Sequence, residues 1–207
     1  MTSTPVLAHR CVEMANRAIV GFSGFLGDFP KSASFRDFSG PKDTLRSMER
    51  LALGARGEKS YKVRQFTEWV TRDVYPKDYL GEILAVRNVF VQPSPIRPGA
   101  QLTRYMNDPR HVEWIKDPER IVEEIQQHGS STVDCDESTL LAAVMFLQLG
   151  REVEFVALGY NPRQLTHVGV RVKEPKSSKW IWVDPVAGPK ERDSAKNAKE
   201  KLLWSLD

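Results

Sequence analysis

Three residue types that together carry out acyl transfer, a cysteine, a histidine and an aspartate, occur in ordered settings in the second half of this chain. Cys135 sits in Asp134-Cys135-Asp136-Glu137, just ahead of the apolar run Leu140 to Leu147. With that run helical, Cys135 stands at a helix N-terminus, where partial positive charge and unpaired N–H groups favour a thiolate and can receive an oxyanion. His167 begins the alternating run His167-Val168-Gly169-Val170-Arg171-Val172, and Asp184 closes Trp180-Ile181-Trp182-Val183-Asp184. Each run has one aliphatic face. Burying those faces together predicts Val168 opposite Val183 and Val170 opposite Ile181, joined by a hairpin loop from Glu174 to Ser177. This register sets His167 opposite Asp184 and Gly169 opposite Trp182. An imidazole held by a carboxylate is a general base, and a thiol beside it is a nucleophile. Asp134, Asp136 and Glu137 work against this chemistry, since their charge raises the thiol pKa.

Several elements must position these residues. Val63, Phe66, Val70 and Val74 recur at helical spacing from Tyr61 and predict a helix that ends before Pro76. A second helix runs from about Lys77 to Gln92 with Leu80, Ile83, Leu84, Val86 and Phe90 inward, stopped by Pro93, Pro95 and Pro98. A third has Asp117 as N-cap, Pro118 in its first turn, Ile121, Val122 and Ile125 inward, and Gly129 past its end. Ser130 to Val133 reads as a short flexible lead. Glu137 to Leu149 is apolar on nearly every side, which predicts a helix surrounded by protein, closed by Gly150. Extended runs at Val153 to Gly159, Thr166 to Lys173 and Trp180 to Asp184 predict an antiparallel meander. Helices followed by strands define an α+β fold. The chain divides into a Phe- and Gly-rich arm at 1–60 (Phe22, Phe25, Phe29, Phe35, Phe38), a domain at 61–188, and a charged helix at 189–207 with Leu202, Leu203 and Trp204 at its docking end.

Among 207 residues, 41% are hydrophobic and 28% charged, the balance of a soluble globular chain. Thirty Lys and Arg against 27 Asp and Glu leave a net charge of +3, which gives no reason to expect a nucleic-acid partner. No apolar run approaches the roughly 20 residues that span a bilayer. Arg10, Glu13 and Arg17 interrupt any secretory signal, so a cytoplasmic location is expected. Cys11 and Cys135 are expected to be free thiols there. Their spacing from the four histidines fits no zinc pattern, and nothing resembles a calcium loop, so neither metal nor cofactor is expected. His9, His111 and His128 have no partner at a telling spacing.

Asp134-Cys135-Asp136-Glu137, the apolar helix ending in Leu149-Gly150, a strand, then Thr166-His167-Val168 and Trp182-Val183-Asp184-Pro185 together resemble the transglutaminase-like superfamily of cysteine enzymes. The resemblance extends to the small transglutaminase-like proteins of tailed phages and prophages through Arg104-Tyr105-Met106-Asn107-Asp108-Pro109 and Glu113-Trp114-Ile115. It covers about residues 61 to 188 and implies a papain-like α+β core. By the match, Cys135 is the nucleophile, His167 the general base and Asp184 the residue that orients it. The implied activity is attack on an amide or peptide bond of a protein or peptide through a thioester, resolved by water or by an amine. The superfamily also contains members without activity, which implies the alternative of a phage virion structural or assembly protein with an unused site and virion proteins as partners. Relatives usually carry Gly where Val133 stands here, and a β-branched residue resists φ > 0. Gln92, Tyr105, Trp114 and Gln127 are equal candidates for an oxyanion-hole side chain.

Overall fold

Capping groups explain where the helices start and stop. In a computed structural model, which describes residues 33–35, 40–56, 60–91, 101–108, 113–186 and 194–206, five α-helices occur: α1 (Pro41–Gly54), α2 (Tyr61–Thr71), α3 (Tyr79–Val91), α4 (Pro118–His128) and α5 (Cys135–Gln148). The Ser60 hydroxyl caps α2 by accepting from Val63 N at 3.3 Å. Asp117 caps α4 by accepting from Glu119 N at 2.9 Å, and Gly129, at φ 77°, closes it with its N–H on the Ile125 carbonyl. That backbone angle is the left-handed one that glycine adopts without cost.

The strands are β1 (Ala33–Phe35), β2 (Thr103–Tyr105), β3 (Glu113–Ile115), β4 (Ser131–Val133), β5 (Val153–Gly159), β6 (His167–Lys173), β7 (Trp180–Val183) and β8 (Glu200–Ser205). The four C-terminal strands form one antiparallel sheet in the order β7-β6-β5-β8, while β1 pairs antiparallel with β3 and β2 pairs parallel with β4. The architecture is α+β, with a helical first half and the Cys135 helix packed on the four-stranded sheet. Every α5 side chain from Asp136 to Leu147 is buried, and the other four helices and β4, β5 and β6 all pack against it. A helix without an exposed face is stable only in such a sleeve. No helix among the described residues is long and apolar enough to cross a membrane.

Five expectations are corrected. The β6–β7 register is shifted by two residues: Val170 faces Val183 and Val172 faces Ile181. The loop runs from Glu174 to Lys179, closed by Glu174 N on the Lys179 carbonyl and Ser178 N on the Glu174 carbonyl, both at 2.8 Å. Its carboxylate, Glu174, also accepts from Lys176 N and Ser177 N, so the longer loop is internally bonded. A shift by two keeps every side chain on its face, which is why face patterning alone does not detect it. Ser131–Val133, expected to be a flexible lead, is a strand, because its backbone pairs with Thr103–Tyr105. The C-terminal tail, expected to be a helix, is β8. Its Leu202 and Trp204 alternate inward at period two, and Trp204 Nε1 donates to Glu49 Oε2 at 3.0 Å. In α3 the buried residues are Ile83, Val86, Val89 and Phe90, while Leu80 and Leu84 are exposed. The segment expected to be an irregular arm contains α1, whose Leu45, Met48 and Ala52 join the same core as the residues after 60. Phe22, Phe25, Phe29, Phe38, Cys11, His9, His111 and Gln92 lie outside the described residues.

Candidate active site

The turn that carries Cys135 is built by its neighbours. Asp134 Oδ1 accepts from Asp136 N at 2.9 Å and Glu137 N at 3.2 Å, and Glu137 Oε2 accepts in return from Asp134 N at 3.1 Å. This reciprocal capping box fixes where α5 begins. Glu137 Oε1 takes the Lys116 N–H at 3.0 Å, which ties the turn to the chain following β3. Lys116 Nζ in turn reaches Glu124 Oε2 at 3.1 Å and the Thr132 carbonyl, so β4 is held against α4 beside the cap.

β7 pairs with β6 only as far as Val183 opposite Val170. Beyond that point the start of α5 takes β7's place along the β6 edge. Thr139 Oγ1 donates to the Val168 carbonyl at 3.0 Å, and the Val168 backbone N–H points at the Cys135 sulfur. The thiol is thereby seated against the residue that follows His167.

Asp184, the first residue after β7, reaches His167 diagonally instead of from directly opposite. Its Oδ2 lies 2.8 Å from His167 Nε2, and its Oδ1 accepts from Val186 N at 3.0 Å. An ionised carboxylate only accepts, so the neutral ring carries its proton on Nε2 and leaves Nδ1 as the basic nitrogen. The two-residue shift therefore changes the partner facing Asp184 but not the His167–Asp184 pairing. Gly169 has a related role. A Cβ there would stand 2.8 Å from Trp182 Cζ2 and closer still to Cη2, so the six-membered ring of the indole occupies the space that a side chain at 169 would need. A Gly169→Ala substitution is expected to push the indole aside and destabilise the fold by about 1–3 kcal/mol, measurable as a lower urea midpoint.

Burial pushes the Cys135 thiol far above its ordinary pKa, and the Asp136 and Asp134 carboxylates add to the shift, with only the Val168 amide opposing it. The Cys135 S–H donates to Asp136 Oδ1 at 3.4 Å. At neutral pH the resting sulfur is a thiol and needs a base. Asp136→Asn removes the nearest negative charge, and about tenfold faster alkylation of Cys135 by iodoacetamide is expected near neutral pH. An unchanged rate would show that this charge does not govern the thiol.

Glu137 is also perturbed: burial raises its pKa from 4.5 to about 7, with the Lys116 charge and the backbone donors opposing. A raised pKa means the folded chain binds the proton more tightly than the unfolded one. Its contribution is full below pH 4.5 and is lost as pH rises through about 7. Relative to Glu137→Gln, the wild-type chain is expected to lose up to about 3 kcal/mol of stability across that window, read from urea midpoints at its two ends.

Of the oxyanion candidates, Tyr105 is the one beside the thiol. It pairs with Val133 across β2–β4, and burial together with Cys135, Asp134, Asp136 and Asp108 raises its phenol pKa. Its hydroxyl donates to Asn107 Oδ1 at 2.8 Å. Trp114 lies on β3, paired with β1, and Gln127 is exposed near the end of α4. Sequence reasoning missed the capping partnership of Asp134 with Glu137, although Asp-x-x-Glu ahead of an apolar run is its signature. It also missed Lys116, for which no local pattern exists. Among the described residues, Asp134, Cys135 and Asp136 are the one set whose possible metal-ligand atoms lie within 4.8 Å of one another, and Asp134 Oδ1 is already engaged in the helix cap. Compared with protein-family models and with curated proteins, the sequence matches none.

Proposed function

We propose that this protein is a transglutaminase-like cysteine hydrolase or acyltransferase that works through Cys135, His167 and Asp184. The observation that supports this reading is the 2.8 Å pairing of His167 Nε2 with Asp184 Oδ2, on the strand whose next residue, Val168, hydrogen-bonds the first turns of the Cys135 helix. In the proposed reaction His167 Nδ1 takes the thiol proton as Cys135 Sγ attacks the amide carbonyl. The Cys135 N–H, in the first turn of α5 and so without an intrahelical acceptor, donates to the oxyanion. The C–N bond then breaks, His167 returns the proton to the departing amine, and the acyl group remains on sulfur as a thioester. Water or a second amine, deprotonated by the same imidazole, releases it. Asp184 holds the ring and its tautomer throughout.

Turnover of p-nitrophenyl acetate tests this reading without knowledge of the natural substrate. Steady release of p-nitrophenolate is expected from the wild-type chain and not from Cys135→Ala of unchanged circular dichroism. Added primary amine separates the two fates: accelerated release with formation of the acetamide marks an acyltransferase, and an unchanged rate marks a hydrolase. The second reading is a virion structural or assembly protein that keeps the fold and leaves the site unused. The upward shift of the thiol pKa favours it. Equal turnover by wild type and Cys135→Ala would select it.

A further inference from the structure

We infer that Thr139 is a positioning residue for the acyl-transfer site, its hydroxyl setting the Cys135 turn of α5 in register with His167 on β6. The inference rests on the acyl-transfer reading above. Thr139 follows Cys135 by four residues, about one helical turn, so the two side chains leave the same face of α5. Its Oγ1 donates to the Val168 carbonyl at 3.0 Å, and both residues are buried. Val168 is the chain neighbour of His167. One hydroxyl therefore joins the helix of the nucleophile to the strand of the base.

A threonine inside a helix can satisfy its hydroxyl locally. In α2, Thr67 and Thr71 turn theirs back to the carbonyls four residues earlier, Val63 at 2.8 Å and Thr67 at 2.9 Å. Thr139 instead sends its hydroxyl out of its own helix, and the reason lies at the β6 edge. In an antiparallel ladder every second opposed pair exchanges its backbone bonds, so alternate residues of one strand aim their N–H and C=O at opposite neighbours. Lys173 N on the Glu152 carbonyl at 3.0 Å turns the odd-numbered residues of β6 toward β5, and Glu174 N on the Lys179 carbonyl at 2.8 Å turns the even-numbered ones toward β7. Val168 belongs to the second set. The β7 pairing ends with Val183 at Val170, and among the described residues no strand meets Val168 on that side. The first turns of α5 do: the Thr139 hydroxyl satisfies its carbonyl, and its N–H faces the Cys135 sulfur. Two side chains from one helix face stand in for the missing strand residue, and they hold α5 at one place along β6.

A double-mutant cycle with His167 tests the inference, read as the rate at which p-nitrophenyl acetate places an acetyl group on Cys135 of the full chain, measured by intact mass. In the wild-type step the sulfur–acyl bond forms as the ester C–O bond breaks, and the thiol proton passes through His167 to the departing p-nitrophenolate. Thr139→Val keeps the shape, deletes the donor and strands a buried carbonyl, which α5 relieves by shifting against β6. The acetylation rate is expected to fall on the order of tenfold, since a small misplacement of reacting groups is costly. Thr139→Ser keeps the donor and is expected to stay within about twofold of the wild type. In a His167→Ala background Thr139→Val is expected to change nothing, because the contact has no base left to position, whereas a purely structural role would slow both backgrounds alike. Thr139→Ala makes the same comparison should the valine variant fold poorly. The inference is overturned if the variants lacking the hydroxyl acetylate as fast as the wild type, if the serine variant is as slow as they are, or if the slowing is equal with and without His167. A wild-type Cys135 that stays unacetylated, or one acetylated as fast after His167→Ala, would instead remove the acyl-transfer reading itself.

Discussion

Replacing His167 with alanine is expected to slow acylation of Cys135 by about 10²–10⁴-fold, the range that a positioned general base contributes. The reason is specific to this site. The thiol is held in its neutral form by burial and by Asp136 and Asp134, so attack on a carbonyl has to be coupled to proton removal. The measurement is the single-turnover rate of p-nitrophenolate release. Asp184→Asn should fall in the same direction, because it exchanges an ionised acceptor at His167 Nε2 for an amide that can present a donor to the ring and favour the wrong tautomer. A His167→Ala chain that acylates as fast as the wild type would mean the imidazole takes no proton from sulfur.

The largest effect on stability is expected from Phe146→Ala. Phe146 is fully buried in α5, the helix against which, among the described residues, the four other helices and strands β4, β5 and β6 pack. Truncating it removes a ring from the centre of that sleeve and leaves a cavity that neighbours on several elements cannot jointly fill, at about 3–5 kcal/mol. A urea titration reads this as a lower midpoint at unchanged slope. Phe146→Leu should lose markedly less, since it keeps most of the volume. A loss below about 1 kcal/mol for the alanine variant would mean α5 is not the packing centre of the fold.

The parts of this structure that were legible in the sequence are those written in local chemistry. Asp117, Pro118 and Gly129 mark both ends of α4 because capping is decided within a few residues. The all-apolar run after Cys135 predicts a central helix because a helix with no polar face has nowhere else to go. The pairing of His167 with Asp184 was legible through face alternation alone, since a two-residue slip leaves both on one face. What was hidden depends on distant partners. The Ser131–Val133 strand exists through Thr103–Tyr105, and the tail becomes β8 because β5 offers it an edge. In that tail the charges of 189–207 masked the two-residue alternation of Leu202 and Trp204. In α1 the Leu45, Met48 and Ala52 spacing was overshadowed by the phenylalanines and glycines around it. At the site, the restraint on the thiol from Asp136 was visible as adjacency, whereas the Val168 amide on the sulfur required the fold.

Intact-mass spectrometry of the wild-type chain, quenched in acid after one turnover with p-nitrophenyl acetate, addresses the chemistry most directly. One acetyl group is expected, equimolar with the p-nitrophenolate released, located on Cys135 by peptide mapping and absent from Cys135→Ala. No adduct, or acetylation spread over lysines at the same rate in both chains, would contradict a nucleophilic Cys135 and leave the fold as a scaffold.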